Sequence, residues 1–232
     1  MPRAVVFDVD GTLTATNAVD DECYRRAIAE ALEISAEGVD WSDAPHMTDE
    51  GLLQWIAERH GRVPDDALRA RAMQRFFALL DEAAREAPHR FCEIPGAAAA
   101  MDAARDAGWH VTIATGCWEP SARRKLTLAG LDHAAVPLAT SSDAVGRVDI
   151  MRLALERAGI SADGCDRIVA VGDAAWDVRA AAELGWPLVA IAHGESADRL
   201  RRHGAGTILP DFRDLAAFLA ALDHARVPDF AP

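Results

Sequence analysis

The run Val5-Val6-Phe7-Asp8-Val9-Asp10-Gly11-Thr12-Leu13-Thr14 constrains this chain more than any other stretch. It opens as an unbroken apolar segment and closes on two carboxylates, a glycine and hydroxyl side chains. A buried parallel strand reads this way, and in open α/β sheets ligands bind beyond the carboxyl ends of the strands. In an extended segment Asp8 and Asp10, at i and i+2, project to the same side. Two carboxylates there repel each other. A hard, oxygen-seeking cation such as Mg²⁺ relieves the repulsion, and no His or Cys stands nearby to favour a softer ion. Gly11 lets the chain turn sharply and brings backbone N–H groups toward an anion, while Thr12 adds a hydroxyl donor.

Downstream the pattern turns helical and stays so to about Ala87. A first helix is expected from Asn17 as N-cap, with acids in its first turn. A second is expected from about Thr48 to Gly61 and a third from Asp65 to Ala87, each with apolar residues at helical spacing. After Pro88 and Pro95-Gly96, strands and helices alternate: a helix over 97–107, a strand over 109–114, a helix over 120–129 and a weak strand over 136–139, where Pro137 has no donor for a ladder. A helix over 149–158, strands over 168–171 and 188–191 with a helix over 177–184 between them, a strand near 207–209 and a helix over 214–224 complete the pattern. Such alternation implies an α/β fold with a doubly wound, mostly parallel Rossmann-like sheet.

Two further strand ends carry polar residues. Ala114-Thr115-Gly116 ends one strand, and Ile168-Val169-Ala170-Val171-Gly172-Asp173 ends another, with Asp177 four residues beyond Asp173 and returned to its side by an opening helix. If the strand after the third is placed beside the first, Asp8, Asp10, Asp173 and Asp177 meet at a topological switch point.

Together these segments resemble the haloacid-dehalogenase-like (HAD) phosphohydrolase superfamily. Residues 8–14 resemble its Asp-x-Asp-Gly-Thr-Leu-Thr motif, Thr115 and Gly116 its second motif, and Gly172-Asp173 with Asp177 its fourth. The resemblance implies a small all-helical cap at 16–92 inserted into a catalytic core at 1–15 and 93–232, with hinges near 14–16 and 92–95. It implies Asp8 as nucleophile and Asp10 as general acid/base. Phosphate contacts would come from Gly11, Thr12, Thr115 and Gly116, and Mg²⁺ would be held by Asp8, Asp10, Asp173 and Asp177. The third-motif cation departs from the common lysine pattern. Arg147, in Gly146-Arg147-Val148-Asp149, is favoured over Lys125, the chain's sole lysine. Arg brings a fixed charge and bidentate donors to an oxyanion.

The implied activity is Mg²⁺-dependent hydrolysis of a small phosphorylated metabolite through an aspartyl-phosphate. A sugar-phosphate mutase or phosphotransferase of the same fold, and a non-hydrolysing phospho-acceptor module, are the alternatives. Dehalogenases and phosphonate hydrolases lack an acid/base at the position of Asp10. The cap segment contains no lysine, which removes one cap feature associated with hexose-phosphate mutases and ranks the phosphatase reading first. The net charge of −13 argues against nucleic acid and anionic membranes as non-specific partners. No apolar run approaches the ~20 residues of a membrane span. The four cysteines lack paired spacing and no signal-peptide pattern precedes the first strand, so a reducing cytoplasm is expected. Oligomeric state is not legible. The tryptophans read as packing residues, with Trp118 and Trp176 flanking motifs and so the ones to line a cavity.

Overall fold

A computed structural model describes residues 2–35, 41 and 43–230. The first apolar run forms strand β1 (Arg3–Phe7), and helices α1 (Asn17–Leu32), α2 (Asp49–Arg59) and α3 (Asp66–Glu86) follow it. The remainder alternates: α4 (Ala97–Asp106), β2 (Trp109–Ala114), α5 (Glu119–Leu128), β3 (Leu138–Ala139), α6 (Arg147–Arg157), β4 (Arg167–Gly172), α7 (Ala175–Leu184), β5 (Leu188–Ile191), α8 (Gly194–Arg202), β6 (Thr207–Leu209) and α9 (Leu215–His224).

Every strand pairing is parallel, in the order β3-β2-β1-β4-β5-β6. The chain winds outward from β1 to β3, then returns to lay β4 on the other side of β1. Phe7 pairs in register with Ile113 and with Val171, so the carboxyl ends of β1, β2 and β4 lie level at the switch point. Alternation along β1 separates the two faces of the sheet. Val5 and Phe7 pack with Met101 of α4 and Phe218 of α9, while Ala4 and Val6 pack with Ile150 of α6 and Val178 of α7.

The helical segment α1–α3 buries its own cluster, including Ile28, Leu53, Ile56, Phe76 and Leu80. Trp118, at the start of α5, inserts into this cluster against Tyr24 and Phe76. The fold is therefore a doubly wound sheet core with an all-helical cap, as expected. The two chain crossings between them are zipped together: Ala15 N–H donates to the Cys92 carbonyl at 2.8 Å and Ile94 N–H to the Leu13 carbonyl at 2.9 Å. Among the described residues no helix is long and apolar enough to cross a membrane.

Three local expectations need correction. Thr16, not Asn17, holds the cap position of α1, because the Asn17 amide is drawn to Asp173. The strand around Pro137 is reduced to β3, two residues long, since the proline contributes only its carbonyl, which accepts from Ile113 N–H. Helix α8 was not anticipated: only Ala197 and Leu200 are buried on it, too few to give a helical apolar pattern.

Candidate active site

The three level strand ends deliver Asp8, Thr115 and Asp173 to one edge of the sheet. Asp8 continues the ladder of β1, donating its N–H to Val171 at 3.0 Å, and its side chain is buried. Beyond it Gly11 adopts φ +75°, and a Cβ there would lie 2.1 Å from Asp173 Oδ2, so a side chain would collide with the acid it must admit.

Carboxylate oxygens of Asp8, Asp173 and Asp177 all lie within 4.8 Å of one another. Burial, with the neighbouring charges of Asp177 and Asp8, holds the Asp173 carboxyl well above the usual range, and burial pushes Asp177 up to about 7. Asp177 also caps its own helix, accepting from Asp173 N–H at 3.1 Å and Ala174 N–H at 3.0 Å. Its other oxygen meets Arg147. The Arg147 Nη1 stands 3.1 Å from Asp8 Oδ1 and 3.0 Å from Asp177 Oδ1, joining the two acids. Three crowded oxygen donors with mutual repulsion fit a hard divalent cation such as Mg²⁺.

The Asp10 carboxylate lies outside this trio. It accepts from Thr16 Oγ1 and from Cys117 Sγ at 2.7 Å, and it pairs with Lys125 Nζ at 2.5 Å. Lys125 is fully buried and reaches Asp20 of α1 equally closely. Burial raises the Asp10 carboxyl, but the Lys125 charge together with the hydrogen bonds from Cys117, Lys125 and Thr16 holds it below the ordinary value. Asp10, Asp20 and Cys117 form a second close group of potential ligands, with the Lys125 ammonium in contact with each of them.

Asp8, Asp10, Thr115, Gly116 and Arg147 line one cavity of about 170 Å³. Its roof comes from the cap, including Asp20, Tyr24, Met47 and Asp49. The α2 end docks on the loop after β2: Asp49 N–H donates to the Gly116 carbonyl at 2.7 Å, and Asp49 Oδ2 accepts from Trp118 N–H at 2.7 Å.

Some expected contacts are redirected. The Thr12 hydroxyl is fully buried and points to Asp173 Oδ1 at 3.4 Å instead of into the cavity, and the Gly11 N–H is taken by the Thr14 carbonyl. Lys125 serves Asp10, leaving Arg147 as the cation beside Asp8. Trp176 lines the cavity, whereas Trp118 is buried in the cap cluster, with its indole N–H on Glu50. The sequence reading missed Asp20, Asp49 and Cys117. Asp20 read as an ordinary first-turn acid, and only cap docking gives it and Asp49 a second role.

Three clustered acids, a fixed guanidinium and a separately held carboxylate thus stand together at the switch point of a parallel sheet. The chain belongs to the haloacid dehalogenase-like hydrolases, whose family model matches residues 2–185. It is 27% identical over 227 residues to a phosphoglycolate phosphatase of Rhodospirillum rubrum, covering 94% of this chain and 91% of that one. The structure of CbbY from Rhodobacter sphaeroides in complex with phosphate superposes with a TM-score of 0.63 at 26% identity, covering 97% of this chain and all of the other. A hydrolase from Pseudomonas syringae shares the fold at a TM-score of 0.72 and 20% identity, covering 95% of this chain and 99% of that one.

Proposed function

We propose that this hydrolase is a Mg²⁺-dependent phosphatase that cleaves a small phosphorylated metabolite through an aspartyl-phosphate on Asp8. The observation that carries the reading is that Asp8 and Asp10 open into one cavity while different cations hold them, Arg147 the first and Lys125 the second. Two carboxylates held in different environments suit two different tasks.

Asp8 attacks phosphorus in line, and the bond to the leaving oxygen breaks as the new P–O bond forms. Asp10 gives its proton to the leaving oxygen, then takes one from the water that cleaves the intermediate and frees Asp8. Lys125 keeps Asp10 ionised in the free enzyme, the state required by the second step. For the first step Asp10 takes up a proton as the phosphate dianion arrives, since an added like charge raises its pKa. Arg147 stabilises the charge spread over the transferring group, joined by the Thr115 hydroxyl, which in the free enzyme bonds to Cys117 Sγ at 3.2 Å. Asp8, Asp173 and Asp177 would hold Mg²⁺, which supplies Lewis-acid stabilisation of the phosphoryl oxygens. The cavity volume, below the several hundred Å³ usual for drug-sized ligands, favours a small substrate.

Residues 16–92 act as the cap and 1–15 with 93–232 as the core, hinged at the hydrogen-bonded crossings, in a protein of the cytoplasm. A phospho-acceptor module without turnover needs neither the acid nor the roof. Purified protein should release p-nitrophenol from p-nitrophenyl phosphate with Mg²⁺ and stop on chelation. Activity that is indifferent to chelation would sink the proposal.

A further inference from the structure

The position of Asp10 fixes where the leaving group must lie. As proton donor to the leaving oxygen, Asp10 borders the cavity roofed by the cap, and it does not border the larger neighbouring cavity beyond Asp173, where His193 and Arg199 stand. The leaving group therefore extends beneath Asp20, Asp21, Asp49, Tyr24 and Trp41.

This roof is acidic and aromatic. Among the described residues Arg147 supplies the cation lining the cavity, and it sits at the phosphoryl end against Asp8. Residues 36–40 and 42, which flank Trp41, contain no Lys, Arg or His. The cap is rich in arginine, yet several of its arginines are directed to other acids: Arg75 and Arg26 to Glu30, Arg69 to Glu50 and Asp66, Arg90 to Glu22. Arg25 comes nearest, and it is paired with Asp21 and stacked 4.1 Å over the Trp41 ring. The donors left over lie at the phosphoryl end and its margin: Arg147 Nε and Trp176 Nε1 are buried without a hydrogen-bond partner, and both residues line the cavity.

Among the described residues a carboxylate or second phosphate on the leaving group would find no cation in this roof to pair with, because Lys125 is held by Asp10 and Asp20 and Arg25 by Asp21. Hydroxyls find acceptors on the Asp20 and Asp49 carboxyls, and an ammonium finds both carboxylates and aromatic faces. We propose that the leaving group carries no second anionic group: the substrate is the monophosphate of a small uncharged or amino alcohol, not a phospho-acid or a bisphosphate. The proposal rests on the phosphatase reading above, and it means that the substrate in the name of the Rhodospirillum relative does not transfer to this chain.

The test uses pairs matched in carbon skeleton. With Mg²⁺, kcat/KM is measured for glycerol 3-phosphate against 3-phosphoglycerate and for ethanolamine phosphate against phosphoglycolate. The uncharged or cationic member should lead by about 10- to 100-fold. Phosphoglycolate or 3-phosphoglycerate leading would overturn the proposal, and loss of that activity in Arg25→Gln would show that Arg25 turns inward to bind the anion. Asp21→Lys, checked for folding by its melting curve, should raise kcat/KM for the anionic members about tenfold. The same four compounds are titrated calorimetrically into Asp8→Asn protein with Mg²⁺, which separates binding from turnover. If none is hydrolysed, the phosphatase reading fails by itself, and tighter binding of the anionic members would then still refute the substrate class.

Discussion

Replacing Arg147 with Gln removes the single charge that joins Asp8 to Asp177. The guanidinium is largely buried, with a side chain 12% exposed, and each acid it touches is 7% exposed. Removing one partner of a buried ion pair costs about 3–5 kcal/mol, because the remaining charge is left uncompensated. In a chain of this size each kilocalorie per mole moves the melting temperature by roughly 2–4 °C. Arg147→Gln measured in EDTA should therefore melt about 6–20 °C below the parent. The loss should grow between pH 6 and pH 8. With Arg147 present burial already pushes Asp177 up to about 7, and without it the group rises further, so the penalty is felt as pH climbs and the acid is forced to ionise. Mg²⁺ then supplies the missing charge. At about one hundred times its dissociation constant a ligand contributes roughly 2.7 kcal/mol, and the variant should gain more from Mg²⁺ than the parent does. Differential scanning fluorimetry across EDTA, Mg²⁺ and pH reads all three effects. A variant that melts with the parent in EDTA, or gains no more than the parent from Mg²⁺, would refute the argument that Arg147 neutralises the acid trio. In turnover it should lose about 10²–10³ in kcat, the usual cost of one preorganised charge-stabilising donor.

Lys125→Met should destabilise by about 3–5 kcal/mol, since it strands Asp10 and Asp20 in the interior, and adding Asp20→Asn should recover part of that in urea melts. A Cβ at position 172 would lie 2.4 Å from Asp177 Cγ, so Gly172→Ala should displace that acid, weakening Mg²⁺ binding by calorimetry more than it lowers the melting temperature. Burial raises the Glu50 carboxyl, but Arg69, Gln54 and the Trp118 indole hold it below the ordinary range. Its contribution is present above the unfolded value near 4.3 and is lost as pH falls through the lower folded value, so Glu50→Gln should flatten stability against pH in that acid window.

The sheet and the acid trio were legible because each depends on a local pattern. An apolar run ending in Asp8, and another ending in Gly172-Asp173, name buried parallel strands with polar ends, and winding order brings them together. Arg147 was legible only through the resemblance of Gly146-Arg147-Val148-Asp149 to the family's third motif; in the structure it opens α6. The partners of Asp10 were not. Lys125 and Cys117 reach Asp10 from α5 and the loop before it, and Asp20 joins them when the cap is seated on residues 116–118. No spacing along the chain encodes that contact. For the same reason Thr12 could be read as a phosphate donor: its hydroxyl type fits, and only the approach of Asp173 shows where it is spent.

Hydrolysis by this route passes through a covalent phosphoryl group on Asp8. Asp10→Asn protein keeps the nucleophile and lacks the group that activates water, so mixing it with Mg²⁺ and p-nitrophenyl phosphate, whose leaving group needs no proton from Asp10, acid-quenching and mapping the peptides by mass spectrometry should find the phosphoryl group on Asp8. Parent enzyme quenched in the same way should show it only transiently, and Asp8→Asn should show none and turn over no substrate. Normal turnover by Asp8→Asn, or a phosphoryl group mapped to another residue, would contradict the account.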